Sequence, residues 1–160
     1  MISVNIICVG KLKEKYLRDA SAEYIKRLTA FCKLNIIEIA PYALPDSPTQ
    51  AQIDAGLEAE GKQILAKIQN GAYVYAMCIE GKQRSSEVLS AEFDKLSVFG
   101  ESNLTFIIGG SFGLSDAVKA RADAKLSMSQ MTFPHQLARI MLLEQIYRAF
   151  QISTGGKYHK

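Results

Sequence analysis

At 160 residues, with 48% hydrophobic and 22% charged side chains, the chain has the length of one domain (1–160) and an ordinary globular composition. A domain of that size buries roughly 70% of its unfolded-chain surface. No apolar run approaches the ~18 residues of a membrane span, and no basic segment precedes the first apolar run, so neither a membrane protein nor a signal peptide is predicted. The net charge of +3 hides an uneven distribution: residues 1–33 carry +4, residues 136–160 carry +3, and the middle carries −4. Two readings stand for the basic ends, a stripe for an anionic polymer or a solvated helix face at Lys11, Lys13, Lys15 and Arg18. Cys8, Cys32 and Cys78 are odd in number and widely spaced, which reads as free thiols in a reducing cytoplasm and offers no zinc spacing.

The run Ile2 to Val9 is largely β-branched and predicts a buried strand ended by Gly10. From Lys13 to Phe31, Tyr16, Leu17, Ala20, Tyr24, Ile25 and Leu28 recur at helical spacing. Leu34 to Ala40 predicts a second strand. Pro41, Pro45 and Pro48 then break the chain, and Thr49 starts a helix reaching about Gln69. Ala72 to Ile79 predicts a third strand, ended by Gly81. Ser85 or Ser86 caps the next helix, with Val88, Leu89, Phe93 and Leu96 facing inward. Leu104 to Ile108 is a fourth strand, Asp116 to Ala122 a short helix capped by Ser115, and Ala124 to Met128 a fifth strand. Gln136 to about Gln151 is a long helix. Its apolar residues fall on two faces, Ile140, Leu143, Tyr147 and Phe150 against Leu137, Met141 and Ile146, which predicts a homodimer. Strand–helix alternation with apolar strands gives an α/β fold with a mostly parallel sheet.

Two irregular loops each leave the end of a strand, where an α/β sheet builds its ligand site. Gly109-Gly110-Ser111-Phe112-Gly113 lets the backbone adopt positive φ and approach a ligand; the alternative is a tight turn with no ligand. No Lys-Ser/Thr follows, so it is not a phosphate-binding P-loop, and the spacing is not the dinucleotide fingerprint. Ser127 to His135 is small and polar, with Pro134 suited to the first turn of the last helix. Met128 and Met131 read either as ligand wall or as core filler, and His135 as a capping residue kept neutral by the helix dipole. Glu144 and Arg148 form an i,i+4 pair. It is either an ordinary surface pair or a charged strip at a subunit boundary. The tail Lys157-Tyr158-His159-Lys160 either frays or supplies an aromatic plane, an imidazole and two cations to a nucleotide.

Taken together, Val9-Gly10-Lys11-Leu12-Lys13, Ile107 to Leu114, Met131-Thr132-Phe133-Pro134-His135-Gln136, Glu144 to Phe150 and Tyr158-His159 resemble the RlmH (YbeA-like) family of SPOUT methyltransferases across essentially the whole chain. The resemblance implies a C-terminal trefoil knot within about 104–160, which no periodicity signals. It also implies a cytoplasmic homodimer that uses S-adenosylmethionine to methylate N3 of a pseudouridine in a 23S rRNA hairpin of the assembled 70S ribosome, without a metal. By the same resemblance Met77, where relatives often have leucine, packs against the adenosine. Gly109 and Gly110 leave room for the cofactor, and Met128, Ser129, Gln130, Met131, Thr132 and Phe133 wrap the adenine through main-chain contacts. On the substrate side, Arg148 stabilises charge, Glu144 orients it, Tyr158 stacks on or positions the base, and His159 holds the substrate or accepts a proton. The rival expectations are a non-catalytic ribosome-binding or RNA-binding factor, a small phosphotransferase, or methyl transfer to another RNA position.

Overall fold

Runs of Ile, Val and Leu that are apolar at consecutive positions can be buried on both faces, and such runs form the centre of the sheet. The computed structural model describes residues 1–160. Its elements are β1 (Ile2–Val9), α1 (Lys15–Leu28), β2 (Cys32–Ile39), α2 (Gln50–Lys67), β3 (Tyr73–Gln83), α3 (Ser86–Val98), β4 (Asn103–Ile108), α4 (Asp116–Arg121), β5 (Ala124–Ser127) and α5 (His135–Ser153). All five strands are parallel, in the order β2-β1-β4-β3-β5. Each predicted strand and helix forms, with ends shifted by a few residues. No helix is long and apolar enough to cross a membrane, and no group of three or more His, Cys, Asp or Glu side chains is placed to hold a metal ion.

The two faces of the sheet build two cores. On one, Val4, Ile6, Leu104, Phe106 and Tyr75 pack with Leu28 of α1, Leu89 and Phe93 of α3, and Leu142, Leu143 and Ile146 of α5. On the other, Ile7, Val9, Val74, Ala76 and Ile107 pack with Ile64 of α2 and Val118 of α4. Alternation along β1 therefore splits one strand between two cores. Register is fixed by a polar ladder through the apolar sheet. Asn35 donates to the buried Asn5 at 3.0 Å, and Asn5 donates to Asn103 at 2.9 Å. A slip of either neighbour would strand these amides, and an unpaired buried amide is costly.

Local signals set the helix starts. Thr49 and Gln52 exchange side-chain to main-chain bonds in a capping box. Ser85 and Ser115 accept from the N–H groups of Val88 and Val118.

Three expectations need correction. β3 does not end at Gly81 but runs on to Gln83. Met77 and Lys82 both pair with Leu126, so residues 78–81 bulge out of the ladder. Gly81 is required because a Cβ there would meet the Lys125 carbonyl carbon at 2.8 Å. Val88 does not face inward; it is half exposed beside the inward Leu89 and Phe93. Lastly, the two apolar faces of α5 are not divided as its pattern suggests. Ile146 is in the core with Leu143, while Tyr147 and Phe150 close an aromatic cluster with Tyr24, Phe31 and Phe93. What remains toward solvent is the narrower Leu137–Met141 end, with Leu137 40% exposed.

α5 is also fixed by a residue the sequence makes look peripheral. Arg139 is only 3% exposed; it donates to the Gly10 carbonyl at 2.8 Å and to Glu38 at 2.9 Å, and its Nε has no partner. This bond set ties the last helix to the ends of β1 and β2. Replacing Arg139 with methionine leaves a buried carbonyl and a carboxylate unpaired. The expected cost is about 2–3 kcal/mol in a urea titration, reduced from the fully buried case because Glu38 is partly solvated.

Candidate active site

The carboxyl ends of β3, β4 and β5 open onto a cavity of about 840 Å³, a size that holds a cofactor-sized ligand. One wall is Met77 and the β3 bulge that follows it, to Glu80. Another is the turn after β4, and a third is the segment between β5 and α5. Met77, Gly109, Gly110, Met128, Ser129, Met131, Thr132 and Phe133 all line it. Gln130 does not; its side chain is exposed.

The segment from Met128 to Phe133 makes no backbone–backbone hydrogen bond at all. Only the N–H of Met131, received by the Ser129 hydroxyl at 3.0 Å, and the carbonyl of Ser129, which accepts from Ser127, have partners in the chain. A main chain with unmet donors and acceptors beside apolar walls (Ile108, Leu114, Leu126) is suited to reading a flat heterocycle by its edge.

The glycine turn differs from the expectation in its cause. Gly109 and Gly110 have ordinary φ; only Gly113 is positive, at 83°. Gly110 and Gly113 bridge, with the Gly113 N–H donating to the Gly110 carbonyl at 3.1 Å. A Cβ on Gly109 would lie 2.6 Å from the Gly113 carbonyl carbon and closer still to its oxygen. The missing side chain at Gly109 makes room for the turn's own backbone. On Gly110 a Cβ would crowd the Val9 side chain at 3.3 Å, a contact that can yield.

His135 borders the same cavity. Burial first, and then the positive charges of Arg139 and Lys13, hold its pKa below the usual histidine value, so the ring stays neutral. The expected outcome stands, but the main cause is desolvation.

The four substrate-side candidates come together away from this cavity. Arg148 donates from Nε and Nη2 to one Glu144 oxygen, at 2.9 and 2.6 Å. Its Nη1 lies 3.1 Å from His159 Nδ1. An arginine can only donate, so Nδ1 is the acceptor. The imidazole proton is then on Nε2, which donates to Glu87 at 2.6 Å. Tyr158 donates to Glu144 at 3.1 Å, and its ring lies 4.7 Å from the Arg148 guanidinium carbon and edge-on to Tyr147. Burial and the neighbouring Tyr24 and Glu144 push the Tyr158 phenol up to about 12, so it is a donor and not a base at neutral pH. Bonding to Glu144 raises the Arg148 pKa, which keeps its charge fixed. The tail is thus pinned to α5 and α3.

A second cavity of about 430 Å³ lies between the two groups. Tyr24, Arg84, Met141, Glu144 and Gln145 line it, and it shares Leu126 and Met128 with the first. Glu144 is the only substrate-side candidate that borders either cavity. The bulge residues Cys78, Ile79 and Glu80, and Lys119 of α4, complete the first cavity. Sequence reading missed them because nothing local distinguishes a bulged strand from a strand end.

Residues 2–159 match the family model described as "Predicted SPOUT methyltransferase". The chain is 54% identical to a protein of Clostridium acetobutylicum, 52% to one of Limosilactobacillus reuteri and 50% to one of Lactobacillus acidophilus. Each comparison covers 99% of this chain and all of the relative, and each relative is named "Ribosomal RNA large subunit methyltransferase H". With a parallel α/β sheet, a cavity at its carboxyl edge and a family match from end to end, the chain belongs to the SPOUT methyltransferases.

Proposed function

We propose that this protein, as a single domain over 1–160, transfers the methyl group of S-adenosylmethionine to N3 of a pseudouridine in a 23S rRNA hairpin of the assembled 70S ribosome, in the cytoplasm. The observation that carries the reading is the segment from Met128 to Phe133, which is free of backbone–backbone bonds and, Gln130 apart, lines a cavity at the sheet's carboxyl edge. The names of the relatives support the RNA class. The lining fits the cofactor: apolar walls at Met77, Leu114 and Leu126 suit an adenosine, and the unmet N–H and C=O groups suit the edge of its base. The reading carries the family's C-terminal knot with it as an expectation for the chain path.

When bound, the cofactor supplies a methyl group already activated by its sulfonium. The protein must align the nitrogen with it and remove the N3 proton. Arg148, fixed by Glu144, stabilises the charge that develops on the adjacent ring carbonyls. Tyr158 packs on the guanidinium and offers a face to the base. When Arg148 turns a donor toward the substrate carbonyl, Nδ1 of His159 is released to take the N3 proton, while Nε2–H stays on Glu87.

In one chain these residues and the cofactor cavity share no wall, which supports a site completed by a second copy. Leu137, Met141, Glu144 and Arg148 recur every three or four residues, forming one strip of α5 that is apolar at one end and charged at the other. A dimer along this strip brings one chain's tail cluster toward the other's cavity. Leu137→Glu together with Met141→Glu should yield a folded monomer with little transfer activity, measured by light scattering beside an activity assay. A wild-type monomer at micromolar concentration with full activity would remove the dimer from the reading.

The function itself is tested by labelled methyl transfer to 70S ribosomes from a strain lacking the gene, followed by mass spectrometry of the rRNA. Absence of transfer, or a methyl group at another nucleotide, would overturn it.

A further inference from the structure

The first cavity is bordered by two side chains of fixed charge, Glu80 and Lys119; its third ionisable group of note, His135, is neutral. Glu80 stands on the bulge that β3 extrudes, and Lys119 stands on α4 across from it. Their Oε1 and Nζ are 2.6 Å apart, with the lysine side chain a quarter exposed and the glutamate about half exposed. The second glutamate oxygen and the remaining ammonium hydrogens have no other side-chain partner. Each group holds the other ionised, bonding to Lys119 lowering the carboxyl and bonding to Glu80 raising the ammonium.

A cofactor of the proposed kind has two chemically unlike ends. Its adenosine asks for apolar walls and main-chain donors, which the segment from Met128 to Phe133 offers. Its amino-acid end carries one carboxylate and one ammonium, and asks for one fixed cation and one fixed anion a few ångströms apart. We infer that Glu80 and Lys119 are the subsite for that zwitterion, Lys119 receiving the carboxylate and Glu80 the ammonium. The ion pair then opens into an alternating quartet of charges, with no net charge added to the wall by the amino-acid end. The bulge has a purpose on this reading. A regular β3 would keep Glu80 in the ladder, whereas four residues extruded between two pairings with Leu126 bring it to the cavity rim. The inference rests on the cofactor reading above and deepens it.

The test is calorimetry of the full-length protein with three ligands: S-adenosylmethionine, its decarboxylated form, and 5′-methylthioadenosine, which lacks the amino-acid end. Lys119→Met should weaken S-adenosylmethionine by about 10- to 100-fold, the range for a lost hydrogen bond to a charged group, and leave the other two within about twofold. Glu80→Gln should weaken S-adenosylmethionine and the decarboxylated form, and spare methylthioadenosine. Lys119→Arg should restore most of the loss, and thermal melts should show all variants folded. If Lys119→Met weakens all three ligands alike, the pair only braces the bulge against α4, and the inference is overturned. Unchanged affinity for all three overturns it equally. Wild-type protein that binds none of the ligands overturns the cofactor reading itself, a distinct outcome.

Discussion

Deletion of Tyr158 to Lys160 is expected to remove methyl transfer while fold and cofactor affinity stay nearly intact. The truncation loses the Tyr158–Glu144 hydrogen bond, the edge contact with Tyr147 and the His159 bonds to Arg148 and Glu87. These are half-exposed contacts, and their loss should cost stability no more than about 1–2 kcal/mol. The chemistry should suffer far more. A positioned proton acceptor contributes about 10²–10⁴ in rate, and a base-stacking ring about 1–3 kcal/mol of substrate binding. His159→Ala should share most of the rate defect. Tyr158→Phe keeps the ring on Arg148 and loses the hydroxyl's bonding to Glu144 and Tyr24, so it should be mild, whereas Tyr158→Ala should weaken RNA engagement. The measurement is methyl incorporation into ribosomes beside a cofactor titration. Wild-type turnover by the truncated protein would place the chemistry wholly within residues 77 to 148.

Gly109→Val should fail at an earlier stage, in the folding of the turn. The family resemblance implies that a side chain there would occupy ligand space with little loss of folding, straining the turn only if φ were positive. The structure puts the Gly113 backbone in that space. Backbone cannot rotate aside as a side chain does, so the turn must open and take the adjoining Leu114, which is part of a core, with it. A loss of about 4 kcal/mol is expected for valine and about 3 for alanine, at the severe end of single substitutions. Gly110→Ala is the milder comparison: its Cβ would meet side-chain atoms of Val9 and Glu60, the nearest at 3.3 Å, rather than backbone, and about 1 kcal/mol is expected. Urea denaturation of the three variants separates the explanations. Gly109→Ala with wild-type stability and reduced cofactor affinity would return this glycine to the ligand.

Where the sequence carries its own physical signal, it predicts the fold well. The β-branched run Ile2 to Val9 and the caps Thr49, Ser85 and Ser115 place their elements closely, because burial and capping are local demands. The features it hides depend on distant partners. Arg139 looks like a solvated helix residue until Gly10 and Glu38, more than a hundred positions earlier, close around it. Gly81 looks like a strand terminator, since the sequence does not show that the Lys125–Leu126 backbone passes against it. The eight residues of the proposed cofactor set that line the cavity follow from the family resemblance, whereas Gln130 is exposed and does not line it. The roles proposed for the tail likewise rest on the resemblance alone. Its pinning to α3 through Glu87 has no counterpart in any local pattern.

The placement of α5 constrains how the protein comes into being. Leu142, Leu143 and Ile146 of α5 share a core with Val4 and Ile6 of β1, far apart in the sequence. No truncated nascent chain can complete that core. Contacts that join the two ends of a chain form slowly, because the longest loop must close before they stabilise anything. Until α5 is made and docks, Phe106 and its neighbours lack the helix that covers them. The interval before α5 docks is therefore when the incompletely folded protein is most open to aggregation and proteolysis.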